Sequence, residues 1–151
     1  MRGLPKAATV VGALLLVATA CSKSSTPAGG ASSGASAATL TINGEKATDK
    51  GTKDITGMSS FTLNLDNDPG VYYFEPTVLK GAPGQKVTLT LKNVGNVHHN
   101  FTLASENINQ DVNTPGASAT VSVTFPQSGT AEFHCEYHQA LGMIGELVVS
   151  P

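Results

Sequence analysis

The sequence predicts an all-β domain, a sandwich of roughly seven or eight short strands. Two observations carry this. Apolar residues alternate with polar ones over three runs: Phe61, Leu63 and Leu65; Val87, Leu89 and Leu91, with Thr88, Thr90 and Lys92 opposite; and Val121, Val123 and Phe125. Turn clusters punctuate those runs, at Asp68-Pro69-Gly70, Gly81-Ala82-Pro83-Gly84 and Gln127-Ser128-Gly129.

Ahead of that domain, residues 1–20 read as an export signal of lipoprotein type. Arg2 and Lys6 supply the charged region, and residues 10–17 an apolar run too short to anchor in a bilayer. Val17-Ala18-Thr19-Ala20-Cys21-Ser22 resembles the bacterial lipobox, whose cysteine is lipidated on sulfur and becomes the mature N-terminus. Ordinary cleavage after Ala20, leaving Cys21 free, is the alternative. Residues 21–38 continue from Cys21 into Ser, Ala, Gly, Thr and Pro, a composition that cannot build a core and predicts a flexible tether. The expected location is the cell envelope, in the periplasm or on the outer face of the cell membrane.

Residues 39–151 hold the domain. Leu40-Thr41-Ile42 before Asn43-Gly44 signals a hairpin. A polar, turn-rich stretch follows as far as Gly57. Residues 106–115 lack a strand pattern and read as loop with a short helical turn. In residues 130–135, Ala131, Phe133 and Cys135 share one face while Glu132 and His134 share the other, so the thiol points into the core. Residues 144–149 form a returning strand.

The loop between those last strands is Cys135-Glu136-Tyr137-His138-Gln139-Ala140-Leu141-Gly142-Met143, spaced C-x2-H-x4-M. Soft sulfur plus imidazole suits copper in either oxidation state. Two His, one Cys and a weak axial Met make a blue-copper electron-transfer site. One ligand is missing, and His98, His99 and His134 are the candidates. Parity favours His99, because Phe101 and Leu103 belong on the core face and His99 shares it, whereas His98 points away. Taken singly, a buried Cys or Met is more often a plain apolar side chain. The shared spacing and strand parity favour the metal. With Cys21 lipidated, Cys135 is an unpaired cysteine in an oxidising compartment, which ligation explains.

Charge is modest: nine Lys and Arg against eleven Asp and Glu. Without Arg2 and Lys6 the mature form carries about −4, and no Arg remains, which excludes nucleic acid as a partner. Four His, with one adjacent pair, are too few for the trinuclear centre of a multicopper oxidase. One Cys in the ligand loop excludes a binuclear copper centre.

Three segments resemble the cupredoxins of the plastocyanin, pseudoazurin and halocyanin group: Phe74-Glu75-Pro76 through Gly84-Gln85-Lys86-Val87, residues 93–101 with His99-Asn100, and residues 133–143. The resemblance implies a Greek-key β-sandwich of about eight strands. It also implies His99, Cys135 and His138 as equatorial copper ligands, Met143 as a long axial one, and Asn100 as the link between the two ligand loops. Three positions depart from plastocyanins: His98 replaces a Pro, His134 a surface Tyr, and Glu136 a small hydroxyl residue.

The function expected is single-electron transfer through one type 1 copper, without enzymatic activity. The expected partners are redox proteins of the cell envelope and, through Cys21, the membrane; the expected state is a monomer. In the resemblance, the His138 edge is the electron port, amid Gln139, Ala140 and Leu141. Copper handling, as chaperone or store, is the alternative. Methionine at positions 1, 58 and 143 alone leaves that alternative without a Met-rich loading motif.

Overall fold

The computed structural model describes residues 37–149. Residues 1–20, Cys21 and the tether as far as residue 36 lie outside them. Among the described residues, three sheets are formed. A two-stranded sheet pairs β1 (Thr39–Ile42) with β2 (Glu45–Thr48). The expected hairpin is present because Asn43 and Gly44 adopt φ of 49° and 89°, the left-handed backbone a two-residue hairpin turn needs.

Two larger sheets form the sandwich. One has four strands in the order β10-β7-β4-β5. These are β4 (Ser60–Asp68), β5 (Val71–Glu75), β7 (Lys86–Asn93) and β10 (Ser118–Thr124). The other has six strands in the order β3-β6-β12-β11-β8-β9. Its members are β3 (Thr52–Asp54), β6 (Val78–Gly81), β8 (His99–Leu103), β9 (Ile108–Val112), β11 (Thr130–His134) and β12 (Ile144–Val149). Both sheets are mixed: β4 runs parallel to β7, and β6 parallel to β3 and β12, while the other pairs are antiparallel.

The alternating rows become the inner faces. Leu63, Leu65, Val87, Leu89, Leu91, Val123 and Phe125 from one side meet Leu79, Phe101, Leu103, Phe133 and Leu147 from the other, all essentially inaccessible to solvent. Burying each such side chain contributes about 1.5–3 kcal/mol. Phe74, Phe101 and Phe133 lock the centre, with Phe133 5.0 Å from each of the other two rings. A second, small core of Ile42, Ala47 and Ile144 fastens the hairpin to β12.

The all-β class is as expected, but twelve strands replace the expected eight. The surplus has identifiable causes. In β3, Thr52, Lys53 and Asp54 are all exposed, so an edge strand paired only with β6 left no apolar pattern. Residues 106–115 hold β9 rather than loop. The short helical turn, a 3₁₀ turn at Ala104–Glu106, comes just before it. Asn109 and Asp111 disguise β9 because such residues are depleted in strands; its register with β8, from His99↔Val112 to Leu103↔Ile108, overrides that bias.

Candidate metal centre

The site lies where β8 begins and where the β11–β12 loop turns. On β8, His99, Phe101 and Leu103 are fully buried and His98, just before the strand, is exposed, as parity predicts, though Asn100 on the opposite face is buried too. The ligand loop is fixed by its own backbone. Cys135 donates its N–H to the Met143 carbonyl (3.1 Å), and its carbonyl accepts the His138 N–H (3.0 Å). The His138 carbonyl then accepts N–H groups from Leu141 (2.9 Å) and Met143 (3.2 Å). Gln139–Leu141 forms one 3₁₀ turn, and Gly142 reverses the chain with φ 92°. From outside, Thr48 of β2 donates its N–H to the Gly142 carbonyl at 2.9 Å.

His99, Cys135 and His138 therefore converge. Their potential ligand atoms lie within 4.8 Å of one another, and all three residues are buried. Cys135 Sγ is 3.5 Å from His138 Nδ1. Among the described residues, neither ring nitrogen of His99 has a hydrogen-bond partner, although both are buried. A buried imidazole without partners is costly in a core and needs an explanation. Met143 is also fully buried, held beside Cys135 by the backbone bond between them. His134 is not part of the cluster; its Nδ1 faces Glu132 at 3.7 Å.

Electrostatics suits metal ligation. Burial pushes the His99 pKa down to about 4, aided by His138 and His98, so the ring is neutral with a lone pair at neutral pH. Burial, then His98, lowers His138 as well. Burial also raises the Cys135 thiol, more than nearby N–H donors lower it. A cation among these three groups is what would favour the thiolate. Two neutral imidazoles and a thiolate in a water-poor pocket fit copper.

Asn100 joins the two loops. Its backbone N–H points at Cys135 Sγ (3.4 Å), and its Oδ1 accepts the Glu136 N–H (2.8 Å). Its Nδ2 donates to Asn109 Oδ1 (3.0 Å), and Asn109 Nδ2 donates to Glu136 Oε2 (2.9 Å). Glu136, the departure from the hydroxyl residue, is thereby bound back to Asn100 through Asn109. Asn109 was not legible as a site residue, since β9 itself was not.

Aromatic rings surround His138. Tyr72 stacks on its ring at 4.1 Å between centroids and 10° between planes. His98 lies 5.8 Å away, and Tyr137 meets His98 edge-on at 4.6 Å. His138 itself is only 9% exposed, whereas Tyr137 is 44% and Leu141 55% exposed. Sequence parity held one signal for Tyr72: it alternates with Phe74, a core residue.

A family model described as a cupredoxin-like domain matches residues 12–149. The chain belongs to the cupredoxin-like family. Among curated relatives, the chloroplastic plastocyanin of Physcomitrium patens is 31% identical over 64% of this chain and 61% of that protein's length. Plastocyanin of Daucus carota is 29% identical over 58% of this chain and 98% of its own. The crystal structure of dithionite-reduced auracyanin from Roseiflexus castenholzii superposes with a TM-score of 0.50. It shares 21% identity and covers 62% of this chain and 98% of that one, a likeness of fold. Within this cupredoxin, the His99–Cys135–His138 cluster fits a type 1 copper site.

Proposed function

We propose that this cupredoxin is a single-electron carrier with one type 1 copper, tethered to the cell envelope. His99, Cys135 and His138 are the equatorial ligands in this reading and Met143 the axial one; Asn100 holds the two loops in register. The observation that carries it is the preassembled, buried trio of ligand atoms within 4.8 Å. Copper bound there would supply the one-electron couple. The chain supplies rigidity: five backbone hydrogen bonds within the loop and the Asn100 link leave the donors little freedom to rearrange between oxidation states. The core around them excludes water.

The proposal extends to the anchor. Cys21 carries lipid, residues 21–38 are the tether, and redox proteins of the envelope are the partners of a monomeric carrier. No catalytic role is proposed. Copper storage or delivery is the weaker reading, because methionine stands only at 1, 58 and 143 and the donors are deeply buried.

The test is an absorption spectrum of the copper-loaded, oxidised protein. An intense red-region band that ascorbate bleaches and ferricyanide restores is expected, and Cys135→Ser should remove it with the fold retained. A colourless wild-type protein, or a blue Cys135→Ser variant, would sink the assignment. For the anchor, Cys21→Ser should leave an unprocessed precursor; a soluble, correctly cleaved product would mean ordinary cleavage.

A further inference from the structure

Among the described residues, Tyr72 is the one aromatic ring lying flat on a ring of the candidate centre. Its centroid is 4.1 Å from that of His138 and the planes differ by 10°. The other neighbours differ in kind: His99 meets it edge-on at 5.2 Å and 64°, His98 is tilted at 5.8 Å, and Tyr137 stands at 67° and 6.4 Å. Tyr72 reaches this position from β5, a strand that contributes no ligand. It shares the inward side of β5 with Phe74, and it packs against the main core while remaining partly exposed.

His138 has few other restraints on its ring. Its backbone is tied to Cys135 and Met143, but among the described residues its only side-chain hydrogen-bonding neighbour is Cys135 Sγ at 3.5 Å. It is also the cluster's most accessible member, at 9% exposed against zero for His99 and Cys135. With one side-chain polar contact, packing over the ring's face is what limits its rotation about Cβ. Tyr72 covers that face.

We propose that Tyr72 is a positioning residue that clamps the His138 imidazole in one orientation and keeps water from its face. This rests on the electron-carrier reading above for its purpose, but its geometry does not. Stacks of this kind shift such an equilibrium by about two- to tenfold beyond the area they bury. A carrier whose donor ring holds one orientation in both oxidation states exchanges electrons between two copies, one losing what the other gains, with little rearrangement. The Tyr72 hydroxyl makes no hydrogen bond among the described residues, so the ring face carries the effect.

The test uses the full chain with Tyr72→Leu, Tyr72→Met and Tyr72→Phe. In metal-free protein, proton NMR should show the His138 ring protons shielded by the Tyr72 face in wild type and Tyr72→Phe. That shielding should vanish in Tyr72→Leu. In copper-loaded protein, electron self-exchange should slow about two- to tenfold in Tyr72→Leu and stay near wild type in Tyr72→Phe. Tyr72→Met, an unbranched apolar replacement, stands in if Tyr72→Leu does not fold. Absent shielding in wild type, or unchanged exchange without the aromatic ring, overturns the proposal. So does an equal slowing in Tyr72→Phe, which would implicate the hydroxyl. A colourless wild-type protein would defeat the copper reading instead, and the NMR comparison would still judge the clamp.

Discussion

Asn100 and Cys135 touch through the backbone: the Asn100 N–H points at the Cys135 sulfur from 3.4 Å, across 35 residues of sequence. The same residue's carboxamide accepts the Glu136 N–H at 2.8 Å. One asparagine thus fixes both the strand that bears His99 and the loop that bears Cys135. Asn100→Ala should lower stability by about 1–3 kcal/mol, because it strands a part-buried N–H. Copper affinity should fall about 10- to 100-fold, as when a group supporting a metal ligand is removed. Urea unfolding and copper competition measure the two; wild-type values in both would show that the link is idle.

The adjacent histidines separate cleanly. His99→Ala should abolish the blue band, since it deletes a fully buried member of the cluster. His98→Ala removes an exposed ring and should leave the spectrum nearly unchanged. The reverse pattern of spectra would overturn the assignment of His99.

Met143→Gln should keep the colour and lower the reduction potential, because a harder axial oxygen favours Cu(II). Voltammetry checks this. An unchanged or higher potential would remove Met143 from the axial position.

Glu146 gives a pH dependence away from the metal. It stands directly opposite Glu132 in the β11–β12 ladder, and burial, then Glu132, raises its pKa above the usual carboxylate value. A raised carboxyl pKa means the folded state holds its proton longer than the unfolded state. Stability is therefore lost as pH rises through the carboxylate range, and the penalty is complete at neutral pH. Glu146→Gln should gain about 0.2–1 kcal/mol at pH 7, the scale of a like-charge cross-strand pair. That gain should disappear below about pH 4, under the ordinary carboxylate range, where Glu146 keeps its proton whether folded or unfolded. Urea titrations at the two pH values decide; an equal gain at both would contradict the charge argument.

Much of the site was legible because two periodicities coincide there. Phe101 and Leu103 needed burial, and the two-residue repeat carried His99 inward with them; Phe133 did the same for Cys135. The Asn43-Gly44 turn was legible from backbone sterics alone. What escaped was structure made by pairing rather than pattern. β9 carries Asn109 and Asp111 and owes its existence to β8, so the Asn100–Asn109–Glu136 chain of hydrogen bonds could not be read off. The Tyr72–His138 stack joins β5 to a loop more than sixty residues later. Local sequence encodes no such contact.

The hairpin also sets how the domain bears a load. Its strands pair from Thr39↔Thr48 at the open end to Ile42↔Glu45 at the turn, and only β2 bonds to the ligand loop among the described residues, Thr48 through Gly142 and Glu45 through Gln139. A pull on the chain ahead of Thr39 opens the antiparallel pairs one at a time from that open end, like a zipper. Only after β1 has peeled away does tension enter β2, at Glu45 first and then back to Thr48. The hairpin is thus a mechanical fuse, yielding before force reaches the loop of Cys135, His138 and Met143.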